Sequence, residues 1–117
     1  MPNELLDINI FDDAKAMMQH KFSRIIGYFF EDTQTYLDSI EKGITQKDAS
    51  LIIPAAHTIK SSSRQLGAVQ LSALAAALEE GAKEYLKNQQ DFAGLHHLAD
   101  QVKQTFPATQ RFMEERI

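Results

Sequence analysis

The chain has 117 residues and no cysteine, with 44% hydrophobic residues, 5 glycines, 3 prolines and a net charge of -4. That length fits one compact domain with a core of ordinary size, and so little Gly and Pro disfavours a loop-rich or all-β fold. The composition excludes a disulfide framework and a thiolate metal site, shows no basic stripe for nucleic acid, and holds no run of about 18 apolar residues that would span a membrane.

The opening stretch MPNELLDINIFDD is acidic and lacks the charged-then-apolar pattern of a signal peptide, so a soluble cytoplasmic protein is expected. A short helix is predicted from about Ile10 to Met18, with Asn9 as its cap. A long apolar stripe at helical spacing follows: Met18, Phe22, Ile25, Ile26, Phe29, Thr33, Tyr36, Leu37, Ile40 and Ile44. Lys42-Gly43 reads as its end, with a basic residue and a glycine where a helix C-terminus favours them. The next helix should begin at Asp48 or Ser50, either of which can cap free N–H groups, and its stripe is Ile52, Ala55, Ile59, Ser62, Ser63 and Leu66. Pro54 means that this helix either starts late or is kinked, and Gly67 ends it. A third long helix is expected from Ala68 to Asn88 through Leu71, Leu74, Ala75, Leu78, Ala82, Tyr85 and Leu86. The last starts near Asp91 and uses Phe92, Leu95, Ala99, Val102 and Phe106; Pro107 should bend or break it, with TQRFMEERI able to continue as a last turn or two. The connections are short, so successive helices run antiparallel. The predicted fold is all-α, an up-down four-helix bundle with a short N-terminal cap helix, forming a single domain over residues 1–117.

One histidine breaks the pattern. With Ile59 at the centre of its helix's buried face and 100° per residue, His57 points about 160° away, into solvent. Lys60 lies near 100°, Ile53 near 120° and Arg64 near 140°, on the same outward side, roughly by helical geometry. Ser61, four residues on, sits beside His57. An exposed imidazole, two cations and a small hydroxyl suit the receipt of a phosphoryl group. Neutral imidazole is a nucleophile near neutral pH, and positioned cations offset charge on the phosphoryl oxygens. Across the hairpin, His57 lies ten residues before Gly67 and Glu79 twelve after it. At about 1.5 Å per residue they sit roughly 15 and 18 Å from the turn, nearly level, so Glu79 is placed to accept the Nδ1 proton and leave Nε2 free.

The segments AAHTIKSSSRQLGAVQL and AALEE, with FFEDTQTYLDSIEKGITQKDASLIIPAAH upstream, resemble the histidine-containing phosphotransfer (HPt) domain of multistep phosphorelays, over roughly Ile10 to Ala82. The resemblance implies that His57 is phosphorylated through Nε2 and that Lys60 is the cation near the phosphoryl group. It also implies that Gly67 closes the hairpin and that Glu79 bonds the other ring nitrogen. The implied partners are receiver domains, one of a hybrid sensor histidine kinase and one of a response regulator. Mg²⁺ and most catalytic groups are expected on the receiver, and no cofactor on this chain. The protein would be a phosphoryl carrier and not an enzyme acting alone, and a monomer is expected. The chain departs from the family pattern at Ser61, where glycine is usual, and at Pro54 within the active helix. Candidate docking residues are Ile53, Ile10 and Phe11, rimmed by Lys60 and Arg64.

Two rivals stand beside this reading. A helical-bundle interaction protein would sequester a receiver or kinase without carrying phosphate, but would need no nucleophile. A metal or cofactor bundle lacks the inward Glu-x-x-His pairs it requires. His96 and His97 are adjacent and diverge by about 100° on a helix, so they cannot chelate, and His20 stands alone.

Overall fold

The structure, a computed structural model, describes residues 5–117; the first four residues of the acidic opening stretch lie outside them. Helix α1 spans Ile8–Met18, a 3₁₀ turn Gln19–Lys21 follows, and then come α2 Phe22–Gln46, α3 Ala49–Gln65, α4 Val69–Asn88 and α5 Phe92–Glu114. Helices α2 to α5 form the expected up-down bundle, each packing on the next and α5 closing back on α2. Fully buried Ile26, Ile52, Ile59, Leu71, Leu78, Val102 and Met113 fill its core. Each such side chain contributes about 1.5–3 kcal/mol on leaving water.

Helix starts follow local chemistry. Asp48 Oδ1 accepts from the Ser50 amide and opens α3, and Asp91 Oδ1 accepts from Gly94 N and opens α5. The first helix is capped two residues earlier than expected. Asp7, and not Asn9, accepts from the amides of Asn9 and Ile10. Gln19, at φ 53°, interrupts the chain before α2, so Met18 does not continue into the long stripe.

Lys42-Gly43 acts differently from its sequence reading, and neither Pro54 nor Pro107 marks a helix boundary. Lys42-Gly43 does not end α2; the helix runs to Gln46, and Lys47 takes the left-handed conformation at φ 53°. Gly43 instead lets α3 cross close by. A Cβ there would lie 2.6 Å from Ile52 Cγ1 and 2.9 Å from the Asp48 carbonyl. Pro54 does not delay α3, which starts at Ala49 and runs through it. Pro107 does not break α5, which continues to Glu114 with Thr109 and Met113 buried. Both prolines face solvent, where water can satisfy the carbonyl that each leaves without an amide partner. Leu86, placed in the apolar stripe of α4, is half exposed in that helix's last turn.

Gly67 does close off α3 and turns the chain into α4, at φ +84°. Its carbonyl accepts from Asp7 N at 2.7 Å. This places α1 across the end of the bundle where α3 turns into α4. Phe11 packs edge-on against Phe22, with centroids 5.2 Å apart, and has no exposed surface. The amphipathic α1 thus spends its large aromatic on the core.

Candidate functional site

The apolar stripe of α3 turns Ile52, Ile59 and Ser63 inward and His57 outward, its side chain 59% exposed. The antiparallel register of the hairpin brings Glu79 of α4 level with it, and Nδ1 of His57 lies 2.9 Å from Glu79 Oε2. Unlike the ring it holds, Glu79 is buried, with 4% exposure. Lys60 donates to Glu79 Oε1 at 2.8 Å, and Lys83 lies 3.4 Å from Oε2. Ser72 Oγ of α4 donates to the Lys60 carbonyl at 2.8 Å and ties the two helices together beside these groups.

The hydrogen bond from Lys60 is the largest influence on the Glu79 carboxyl. Burial opposes it, His57 and Lys83 reinforce it, and the group is held down at about 2 from its ordinary 4.5. Glu79 is therefore ionised at neutral pH and can only accept hydrogen bonds. Nδ1 of His57 must then be the donor, and in the neutral ring Nε2 carries the lone pair. Among the described residues no group hydrogen-bonds Nε2. The site is thus a one-sided clamp: one ring nitrogen is fixed from within the bundle and the other faces water.

This clamp has a pH signature. A carboxyl whose folded value is depressed stabilises the fold fully above its unfolded value and loses that contribution as pH falls through the folded one. Glu79→Gln should therefore be less stable than wild type at neutral pH, by about 1–2 kcal/mol for lost charge-assisted hydrogen bonds. The gap should close between pH 4.5 and about 2. Urea unfolding of both proteins across that range measures it, and a gap independent of pH would contradict the clamp.

Not every residue expected at the site takes its expected place. Lys60 was anticipated as a cation facing the incoming group, but here its ammonium is bound to Glu79. Ser61 and Arg64 are exposed on the outer face of α3. Arg64 shares a shallow α3–α4 groove with Lys60, Val69 and Ala73. Ile53 is half-buried against the core. Ile10 is exposed, but it lies beside Gly67, its Cβ 3.3 Å from where a Gly67 side chain would begin. That is roughly 15 Å along α3 from His57. Phe11 cannot serve as a docking residue, because α1 packs it inward. Of Ser62 and Ser63, both expected on the buried side, Ser63 is buried with an unpartnered hydroxyl, while Ser62 is half-buried and donates to Thr58 O.

Two features escaped the sequence reading. Lys83 joins Glu79 from one turn further along α4; its i,i+4 spacing was the available signal. An apolar groove of about 220 Å³ lies between α2 and α3, lined by Met18, Ile25, Tyr28, Phe29 and Thr58 among others. Thr58 is the immediate neighbour of His57. A larger groove, about 560 Å³ between α2 and α5, has no lining residue from α3 or α4. His57 is therefore on an open surface, suited to a macromolecular partner. No group of three or more potential metal ligands occurs among the described residues, and no described helix is long and apolar enough to cross a membrane.

The Hpt domain family model matches residues 24–105, from early α2 to the middle of α5. No curated protein matches the chain. Among solved structures the chain is similar to histidine-containing phosphotransfer protein B (HptB) from Pseudomonas aeruginosa PAO1. The identity is 22% and the TM-score 0.83, covering 95% of this chain and 92% of that one. At that identity the likeness establishes the fold.

Proposed function

The chain belongs to the Hpt domain family, and from that premise we propose that it carries a phosphoryl group on Nε2 of His57, taking it from a receiver-domain aspartate and passing it to another receiver. Hpt domains are phosphoryl carriers of phosphorelays. The observation that carries the assignment to His57 is the exposed imidazole whose Nδ1 is held by a buried, ionised carboxylate.

The chemistry follows from that geometry. The Nε2 lone pair attacks the phosphorus of an aspartyl phosphate, the bond from phosphorus to the acyl oxygen breaks, and the partner's carboxylate leaves. The Nδ1 proton stays in place, so the phosphorylated ring is positive, and Glu79 balances it. Lys60 keeps Glu79 ionised and oriented. In-line positioning and electrostatic stabilisation do most of the work in such transfers, and Mg²⁺ on the receiver supplies the rest. The chain is a carrier and not an enzyme acting alone.

Docking uses the outer face of α3 around His57. Ile53 and the α2–α3 groove supply apolar contact, Arg64 the basic rim, Ser61 the close approach, and Ile10 the far edge. Gly67 fixes the hairpin that sets this face. The described helices form one Hpt domain, which we take to act as a cytoplasmic monomer. Affinity is modest, because a relay intermediate must release both partners.

The test is chemical. Purified protein, mixed with a phosphorylated receiver domain, should acquire label that survives alkali and is lost in acid, as a phosphoramidate does. Tight binding to every receiver that engages it, with no transferred label, would instead identify a sequestering protein.

A further inference from the structure

Glu79 holds two lysines, and they reach it from opposite directions. Lys60, on α3, lies three residues beyond His57 toward the Gly67 turn; Lys83, on α4, lies four residues beyond Glu79, away from that turn. In a helix every Cα–Cβ bond tilts toward the N-terminus. On α3 this leads from Lys60 back toward His57, and on the antiparallel α4 it leads from Lys83 back toward Glu79. The two side chains thus approach the level of the imidazole from opposite ends and meet at Glu79.

Their bonds are unequal. Lys60 takes Oε1 alone, at 2.8 Å, with 31% of its side chain exposed. Lys83 is 49% exposed and lies 3.4 Å from Oε2, the oxygen already engaged by His57 Nδ1 at 2.9 Å. Its ammonium is therefore no farther from Nδ1 than the sum of those two short distances, and Nε2 lies across the same ring. Its other carboxylate neighbour is Glu80 at 3.9 Å, which is 76% exposed and so well screened by water.

Loading the histidine changes this balance. In the unloaded site two lysines face one carboxylate and a neutral ring. After transfer, the ring is positive and bonded to Oε2, and the phosphoryl group brings up to about two negative charges. Oε2 then has a cation of its own, and Lys83 is surplus there.

Resting on the carrier reading above, we propose that Lys83 is a phosphoryl-binding residue of the loaded protein. When His57 is phosphorylated its ammonium leaves Glu79 for the phosphoryl oxygens, while Lys60 stays on Glu79. No bond of the transfer step is altered. Lys83 stabilises the product and so shifts the equilibrium between aspartyl phosphate and phosphohistidine toward this chain.

The test compares wild type, Lys83→Met and Lys83→Arg, each mixed with a receiver domain loaded by acetyl phosphate and Mg²⁺. The ratio of phosphohistidine to aspartyl phosphate is measured at equilibrium, at low and at high salt. Lys83→Met should lower the ratio about five-fold at low salt, the size of one charge pair some 4 Å apart in water. Lys83→Arg should recover most of it, and high salt should shrink the difference. Lys83→Arg should unfold with the wild type, and Lys83→Met only slightly below it, by the small contribution of one partly exposed i,i+4 pair. An unchanged ratio in Lys83→Met overturns the proposal. So does a loss that salt leaves intact or that tracks a larger fall in unfolding temperature, since that marks a structural role. Absence of label on the wild type would sink the carrier reading itself, a separate and recognisable failure.

Discussion

The His57→Gln protein should fold as the wild type does and accept no phosphoryl group at all. Its folding should survive because the ring is 59% exposed and its described hydrogen bond is the single one to Glu79. A glutamine amide can still donate to that carboxylate, so the buried charge keeps a partner. The chemistry should vanish because an amide nitrogen has no free lone pair to attack phosphorus, and no other described histidine has the same setting. His96 meets Asp100 at 3.8 Å on an exposed face of α5, with that carboxylate 52% exposed. Circular dichroism and thermal unfolding check the first half, and transfer of radiolabel from a loaded receiver checks the second. Alkali-stable label persisting on His57→Gln would remove His57 from its role.

The second large effect is on stability. Gly67→Val should lower the unfolding free energy by about 2–4 kcal/mol, combining a positive φ that a β-branched residue resists with a backbone collision. The glycine has φ +84°, and a Cβ there would lie 2.8 Å from the Asp7 carbonyl and 3.0 Å from the Phe11 amide. To relieve that overlap α1 must lift. The bond from Asp7 N to the Gly67 carbonyl would then go, and so would the burial of Phe11. Gly67→Asn separates the two causes, because asparagine tolerates the left-handed region but still carries a Cβ. Its deficit, measured by urea unfolding, should be smaller but not zero. Wild-type stability in the valine variant would mean that α1 does not cross the hairpin as described.

Much of the candidate site was legible because it depends on counting. His57 and Glu79 are tied to Gly67 by ten and twelve residues of regular helix, and 1.5 Å per residue fixes their relative height whatever the rest of the bundle does. The outward direction of His57 follows from 100° per residue in the same way. Asp48 and Asp91 were legible as helix starts because capping is satisfied within a few residues of the cap itself.

What escaped depends on what lies on the other side. Gly43 looks like a stop from its neighbours in sequence, yet it is kept small by Ile52 and the Asp48 carbonyl pressing on it, while Lys47 turns the chain. Phe11 looked available for docking because nothing in α1 says which way that helix faces; the contacts at Gly67 and with Phe22 decide it.

The amino-acid order alone determined the helical period, the starts of α3 and α5, the exposed imidazole and the level of the acid opposite, since each is set by local geometry along one or two helices. Tertiary structure decided which carboxylate oxygen each cation takes, how deeply Glu79 is buried and where α1 turns its apolar face. These depend on the lateral approach of separate helices over a few ångströms, where hydrogen bonds and desolvation change steeply with distance, and residue spacing carries no record of that approach.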